Sequence, residues 1–450
     1  MSMDSEKKRP YNGDDLRDLD PIGAVAVEHG GGEGSPPMAL SFCKTSKNAN
    51  ILALTDEAGY ITLFDTRKRL TDSSSYRENA EKSKVCEWVA HQNAIFDICW
   101  NKDDANILTA SGDQSVKVWD AQEHTCIRAL MWHSGSVKSI SCHPTNQDLV
   151  VSGSRDGSFA VWDTRCSENT YPQLCLKDQV IKCPVLILLL AEDVVGVERL
   201  AESRSITSVL YLKDEVSVAT AGAVDSVIKF WETRHLKGPV TQACPNIESS
   251  TEEKRLHGIS SLSQDMNGVF ITASCMDHRI YLYNMLQLEK GPVKTFSGAR
   301  NDSFFVKSAI SPDAAHILSG SSDGNAYKWQ TNKPHLDPIT LKSHDGEVTA
   351  VDWCPSETGK VATYSDDFTV RFWNIESSCY SNTRSPSSMR KRVSAFPRME
   401  RRKLFIDKTP CTKNDSENTN SDKTCHVSSP PPPNKTVEVS TQNLRRKNSP

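Results

Sequence analysis

The sequence predicts an all-β chain whose body closes into a seven-bladed β-propeller, followed by a disordered basic tail. Three observations predict it. A phrase built from a small-residue step, an Asp turn, an alternating strand and an aromatic recurs seven times. Segments such as Ser115-Val116-Lys117-Val118-Trp119 and Ser158-Phe159-Ala160-Val161-Trp162 are β-rich and follow Gly/Asp turns, with no long helical periodicity between them. The aromatic anchors Phe64, Trp119, Trp162, Trp231, Tyr283, Trp329 and Trp373 are spaced so that three intervals lie near the ~40–45-residue period of a four-stranded blade. All-β architecture by repetition follows.

Residues 1–21 are polar and read as a disordered N-terminal segment, without the apolar stretch of a secretory signal. The propeller is expected over 22–376. Its first piece, Ile22-Gly23-Ala24-Val25-Ala26-Val27-Glu28-His29, precedes the first repeat. That placement suits the outer strand of the seventh blade, which would seal the ring and remove an open sheet edge. The clearest repeats run from Ser111-Gly112-Asp113 to Trp119-Asp120 and from Ser152-Gly153 to Trp162-Asp163. Residues 177–204, with the apolar run Val185 to Leu190, read as an atypical insertion. A strand, a short helix, or sequence foreign to the fold are all compatible with it, and the run is too short to span a bilayer.

From Glu376 onward there are 15 Lys and Arg against 7 Asp and Glu, while the whole chain carries −4, so the body is acidic. Residues 377–450 are rich in Ser, Thr, Asn and Pro and are expected to be disordered. Arg390-Lys391-Arg392 and Arg401-Arg402-Lys403 suit a bipartite nuclear-import signal, which places the chain in the nucleus; a generic basic tail is the other reading.

Packing explains the repeated residues. The aromatic fills the wedge between blades, the turn Asp bonds its own backbone, and a His ahead of the inner strand bonds that Asp. The sets expected are His91, Asp113 and Trp119; His133, Asp156 and Trp162; and His344, Asp366 and Trp373. These are structural roles. The 14 Cys do not cluster and no Cys-x-x-Cys occurs, so they read as small buried hydrophobes. Phosphate-cradling, zinc-protease and serine-hydrolase motifs are absent. No catalytic residue, metal or cofactor is expected, and an acidic body argues against direct nucleic-acid binding. Binding of other proteins on a rigid ring is the expected business.

Three repeats continue past the aromatic in one way: Phe64-Asp65-Thr66-Arg67, Trp162-Asp163-Thr164-Arg165 and Trp231-Glu232-Thr233-Arg234. Such an Arg offers a planar fork of donors to a partner, or pairs with a neighbouring acid. Residues 22–375 resemble the WD-repeat family. Leu149 through Arg165 and Val216 through Arg234 resemble the extended boxes of substrate receptors of cullin-4 ubiquitin ligases. The strings Ala90-His91-Gln92-Asn93-Ala94-Ile95-Phe96-Asp97, Gly153-Ser154-Arg155-Asp156-Gly157 and Phe305-Val306-Lys307-Ser308 narrow the likeness to the denticleless family of such receptors.

That resemblance implies a non-catalytic substrate receptor. Its partners would be the damaged-DNA-binding adaptor, cullin-4, a replication licensing factor and other substrates bound to the sliding clamp. It implies Asp163, Arg165, Glu232 and Arg234 as adaptor-facing residues. Substrate contacts are expected at Gln92, Asn93, Asn301, Asp302 and Phe304, after the outer-strand turns of the second and sixth repeats. An acidic body suits a degron with basic residues. The sequence departs from the family in the apolar run of 185–190, and its tail carries no clamp-binding motif. A chromatin- or histone-binding scaffold is the alternative.

Overall fold

A computed structural model describes residues 22–29, 34–68, 70, 75–165, 205–234, 236, 238–245, 257–342, 344–357 and 359–375. The segments 1–21, 177–204 and 377–450 singled out above lie outside the described residues.

The strands form seven antiparallel sheets, one per blade. Blade 1 comprises Pro37–Phe42, Ile51–Asp56, Tyr60–Asp65 and Lys84–Val89. Blade 2 follows with Ile95–Trp100, Asn106–Ser111, Ser115–Asp120 and Cys126–Met131. Blade 3 has three strands among the described residues, Val137–Cys142, Leu149–Ser154 and Phe159–Asp163. Blade 4 is Ile206–Tyr211, Ser217–Gly222, Ile228–Glu232 and the short Thr241–Ala243. Blade 5 runs from Ile259–Gln264 through Phe270–Cys275 and Arg279–Asn284 to Lys294–Ser297. Blade 6 is Ser308–Ile310, His316–Ser319, Asn325–Gln330 and Ile339–Lys342.

Blade 7 takes Val348–Trp353, Lys360–Ser365 and Thr369–Asn374 from the end of the ring and Gly23–Ala26 from its beginning. Gly23 lies opposite Phe372 and Ala26 opposite Thr369. The N-terminal segment is therefore the closing strap, as its position before the first repeat implied. Val25 and Val27 are buried with Phe42, Leu52, Phe64, Tyr364 and Phe372, so one apolar cluster joins the first and last blades. A short helix, Tyr76–Ser83, is capped by Ser75, whose Oγ accepts the Glu78 N–H. The Asn79 side-chain amide donates to the Ala24 carbonyl at 3.2 Å and pins the strap.

All seven aromatic anchors sit next to last on third strands, and six are buried; Trp231 is half-buried. Three blades carry a buried polar relay behind the anchor. In blade 2, Trp119 Nε1–H donates to Thr109 Oγ1 at 3.1 Å, and His91 Nε2 lies 2.8 Å from the same hydroxyl. His91 Nδ1 reaches Asp113 at 2.8 Å. Burial pushes the His91 imidazole down, so the ring is neutral at pH 7. The partners then assign a proton to Nδ1, leaving Nε2 to accept from Thr109. Blade 3 repeats the relay through Trp162, Ser152 and His133, with Asp156 3.4 Å from the ring.

Blade 7 corrects one expected partner. His344 bonds Asp367 at 3.0 Å rather than Asp366, and Thr363 links it to Trp373. The acid must stand two residues before the hydroxyl that opens the third strand, as Asp113 precedes Ser115 and Asp156 precedes Ser158. Asp367 holds that place before Thr369.

Neighbouring blades are stitched by serines on inner strands. Ser139 Oγ accepts the Val209 N–H at 3.1 Å, Ser208 Oγ that of Leu262 at 3.0 Å, and Ser261 Oγ that of Ser308 at 3.0 Å. Inner strands otherwise leave these edge donors unpaired next to the channel.

Candidate functional site

Antiparallel order fixes which residues share a face. In blade 3 Val137 pairs with Ser154 at one end, while Leu149 pairs with Asp163 at the other. The ends of third strands thus emerge on one face of the ring. The turns after outer strands, together with the Asp113, Asp156 and Asp367 turns, emerge on the opposite face.

On the first face, Asp163 and Arg165 form a closed fork. Arg165 N–H and Nε–H both donate to Asp163 Oδ1, at 3.0 and 2.9 Å, and Nη2 lies 2.5 Å from Oδ2. The hydrogen bonds from Arg165 hold the Asp163 carboxyl below its ordinary value, so it is ionised at neutral pH. The Asp163 side chain is 7% exposed, whereas that of Arg165 is 63% exposed. Both readings of the sequence therefore coexist: the Arg pairs locally and its head meets solvent. Asp148 lies a further 3.8 Å from Nε. Arg67 makes the same fork with Asp65, at 3.0 and 2.9 Å.

The second box differs. Glu232 is half-buried and Arg234 is exposed, and among the described residues no ion pair joins them. An Asp closes a tight ring with the N–H two residues on; a Glu, one methylene longer, does not. Arg234 therefore lacks the brace that Arg165 has.

The opposite face opens on a cavity of about 590 Å³ at the channel mouth. Its lining has a structural cause that sequence reading missed. In six blades the pairing of the inner strand with the next slips after its first residue, which leaves one residue bulged out of register: Met38, Phe96, Lys138, Thr207, Ser260 and Thr349. Bulges re-aim side chains, and the first five of these line the cavity. Blade 6 supplies Lys307, whose Nζ spans the channel to Asp97 Oδ1 of blade 2 at 2.8 Å.

Of the residues expected to touch substrate, Asp302 and Phe304 line this cavity. Gln92 and Asn93 are exposed on the same face, in the connection between blades 1 and 2, beside rather than in the cavity. Asn301 is placed differently: it is 6% exposed, and its side-chain amide donates to Ser260 Oγ at 2.9 Å and the Cys275 carbonyl at 3.3 Å. That amide supports the bulge instead of meeting a ligand. Phe305, Phe96 and Lys138 were not singled out by sequence. Phe96 and Phe305 stack with centroids 6.3 Å apart, and Lys138 Nζ sits 3.2 Å from the Phe96 ring centre. The cavity lining carries Lys138, Arg155 and Lys307 against one acid, Asp302, with Asp97 paired to Lys307 and Glu347 bonded to Ser303 just behind it. Among the described residues no group of three or more His, Cys, Asp or Glu is placed to hold a metal.

Comparison with known proteins supplies the family. The model "WD domain, G-beta repeat" matches residues 82–120, 124–163, 290–330 and 338–374. A denticleless protein homolog of Gallus gallus is 36% identical over 352 residues, covering 76% of this chain and 48% of the relative. Denticleless protein homolog A of Xenopus laevis is 35% identical over 366 residues, covering 78% and 49%. The Homo sapiens homolog is 34% identical over 355 residues, covering 76% and 47%. The chain spans about half the length of these relatives. With seven blades, a closing strap and four matched repeats, it is a denticleless-like WD-repeat protein.

Proposed function

We propose that this propeller is the substrate-recognition subunit of a cullin-4 ubiquitin ligase. The face bearing Asp163, Arg165, Glu232 and Arg234 docks on the damaged-DNA-binding adaptor, and the opposite face holds the substrate. A replication licensing factor and other proteins bound to the sliding clamp are the substrates this reading names, with the nucleus as the place of action. The chain does no chemistry: it raises the local concentration of substrate near the ubiquitin-charged enzyme.

The observation that carries this reading is the Asp163–Arg165 fork. A buried ionised carboxylate holds a 63% exposed guanidinium in one orientation. Pre-organised Arg forks recognise carboxylates and carbonyls at little entropic cost. The two faces are separated by the length of a strand, so adaptor and substrate do not compete.

Recovery of purified adaptor by immobilised chain tests it. The double variant Arg165→Ala, Arg234→Ala should lose at least about tenfold in adaptor recovery. Its stability should fall by less than about 1 kcal/mol, because both guanidiniums lie at the surface and, among the described residues, only that of Arg165 is braced by an acid. Undiminished recovery refutes the adaptor face. Selective recovery of histones from nuclear extract, without ligase subunits, favours the chromatin scaffold instead. With reconstituted ligase, the licensing factor should be ubiquitinated only when wild-type chain is present.

A further inference from the structure

We propose that Cys99 and Cys142 form a dithiol modification site, which a peroxide converts to a reversible disulfide joining blade 2 to blade 3. The pair lies at the seam between two inner strands, and nothing in the receptor reading calls on it. Cys142 pairs with Val150, the neighbour of Leu149, which pairs with Asp163. The seam therefore belongs to the blade that carries the Asp163–Arg165 fork, near the same face.

Repetition carries the first half of the argument. The third residue after the bulge of an inner strand reaches toward the next blade. Ser141, third after Lys138, accepts the Tyr211 N–H through Oγ at 3.1 Å. Ser263, third after Ser260, accepts that of Ile310 at 3.2 Å. Cys99 is third after Phe96 and stands in the serine's place. Tyr211 is the fourth residue after its own bulge, Thr207, and Cys142 is the fourth after Lys138. The two sulfurs thus meet because the ring puts them at matching stations, 2.9 Å apart although 43 positions apart in the chain. Sulfurs held face to face by two inner strands need only a small side-chain rotation to reach the bonding distance of about 2.0 Å.

Reactivity carries the second half. The hydrogen bond from Cys99, helped by the charge of Lys44, holds the Cys142 thiol below its ordinary value against the effect of burial. The same contact, with burial, pushes Cys99 up, so Cys99 keeps its proton and donates it. Burial pushes the Cys86 and Cys275 thiols up to about 12 and about 11, which makes them poor competitors. Cys142 is 8% exposed and Cys99 is half-buried, which leaves room for hydrogen peroxide rather than for a protein thiol. The Cys142 thiolate attacks one peroxide oxygen. The O–O bond breaks, an S–O bond forms, and the departing hydroxide takes up a proton as water. Cys99 Sγ then attacks Cys142 Sγ: the S–S bond forms, the S–O bond breaks, and water leaves with the Cys99 proton. The two thiols together lose two electrons, and one hydrogen peroxide is reduced to two waters.

The test treats the full chain with a few equivalents of hydrogen peroxide and blocks the remaining thiols with N-ethylmaleimide before unfolding. Digestion with trypsin and chymotrypsin follows, the latter cutting after Trp88 and Phe96 and so separating Cys86 from Cys99. Mass spectrometry should find the Cys99 and Cys142 peptides linked, and tris(2-carboxyethyl)phosphine should release them. The thermal midpoint of the oxidised chain should rise by at least about 3 °C, because the bridge closes a long loop, and fall back on reduction. Cys99→Ser installs the residue that Ser141 supplies one blade on, so the variant should fold. It should give no linked peptide and no rise in midpoint, and dimedone should trap the sulfenic acid left on Cys142. Should it fail to fold by circular dichroism, Cys142→Ala takes its place and should likewise give neither link nor rise. Absence of the linked peptide from the oxidised wild type overturns the proposal. So does a bridge from Cys142 to another cysteine, a midpoint left unmoved or lowered by the bridge, or a rise that survives in the variant.

Discussion

Replacing His29 by Gln tests whether the closing strap is fastened by charge. His29 ends the strap and reaches into blade 1. Its Nε2 lies 2.5 Å from Asp56 Oδ2, its Nδ1 lies 3.2 Å from Glu87 Oε2, and its ring stacks on Tyr60 at 3.8 Å. Burial alone would push this imidazole down. The hydrogen bond to Asp56 and the close Glu87 carboxylate, with the charges of both, override that and raise its pKa from 6.5 to about 9. Burial likewise opposes ionisation of Glu87, yet the adjoining His29 ring and the bond from Lys84 draw its carboxyl down to about 2.

The His29 shift alone corresponds to about 3 kcal/mol at 1.36 kcal/mol per unit. Solvent at the strap's edge screens these charges, so about 1.5 kcal/mol is the working figure. Glu87 reports the same contact and is not added. The folded pKa is raised above the unfolded one. The stabilisation is therefore complete below pH 6.5, declines as pH rises, and is gone above about pH 9.

Urea unfolding of wild type and His29→Gln at pH 6.0 and 9.5 reads this directly. The variant should be less stable by about 1.5 kcal/mol at pH 6.0, and the two should converge at pH 9.5. Groups outside the His29 cluster titrate alike in both proteins and cancel in the difference. An equal gap at both pH values would show that His29 acts by packing on Tyr60, and a more stable variant would refute the clamp outright.

Two further outcomes follow from the same packing. Thr109→Val removes the hydroxyl between Trp119 and His91, leaving buried polar nitrogens without their partner. A loss of about 1–3 kcal/mol in urea unfolding is expected, with adaptor capture unchanged; a loss below 0.5 kcal/mol would dismiss the relay as a stabilising element. Deleting residues 1–30 strips the outer strand from blade 7 and exposes the edge of Thr369–Asn374. Light scattering should then show association, and a monomer with an unchanged melting point would refute the strap's role.

The ring was legible in the sequence because its determinants are local. Strand alternation, the Asp turns and the aromatic at the end of each third strand repeat with a period that only a blade explains. Trp119, Trp162, Trp329 and Trp373 all lie where that period places them. Even the strap was readable, since a ring whose first repeat follows a lone apolar segment has one edge left to cover. Asp367 was readable in principle, by counting back from Thr369 as Asp113 stands to Ser115. The exposed Arg of the Trp-Asp-x-Arg string was visible too, although its fork with Asp163 became plain only in three dimensions.

The channel mouth was decided by tertiary structure alone. Met38, Phe96, Lys138, Thr207 and Ser260 are scattered over more than two hundred residues and follow no common type. A bulge at the same point of successive blades turns them all to one opening, and a bulge leaves no mark in an alternating pattern. Lys307 and Asp97, 210 positions apart, meet across the channel only because the closed ring sets blade 6 opposite blade 2. Net charge misleads at such a place. It sums over the whole chain, whereas the groups that line a small cavity are few, and of the four charged side chains lining this one three are cations.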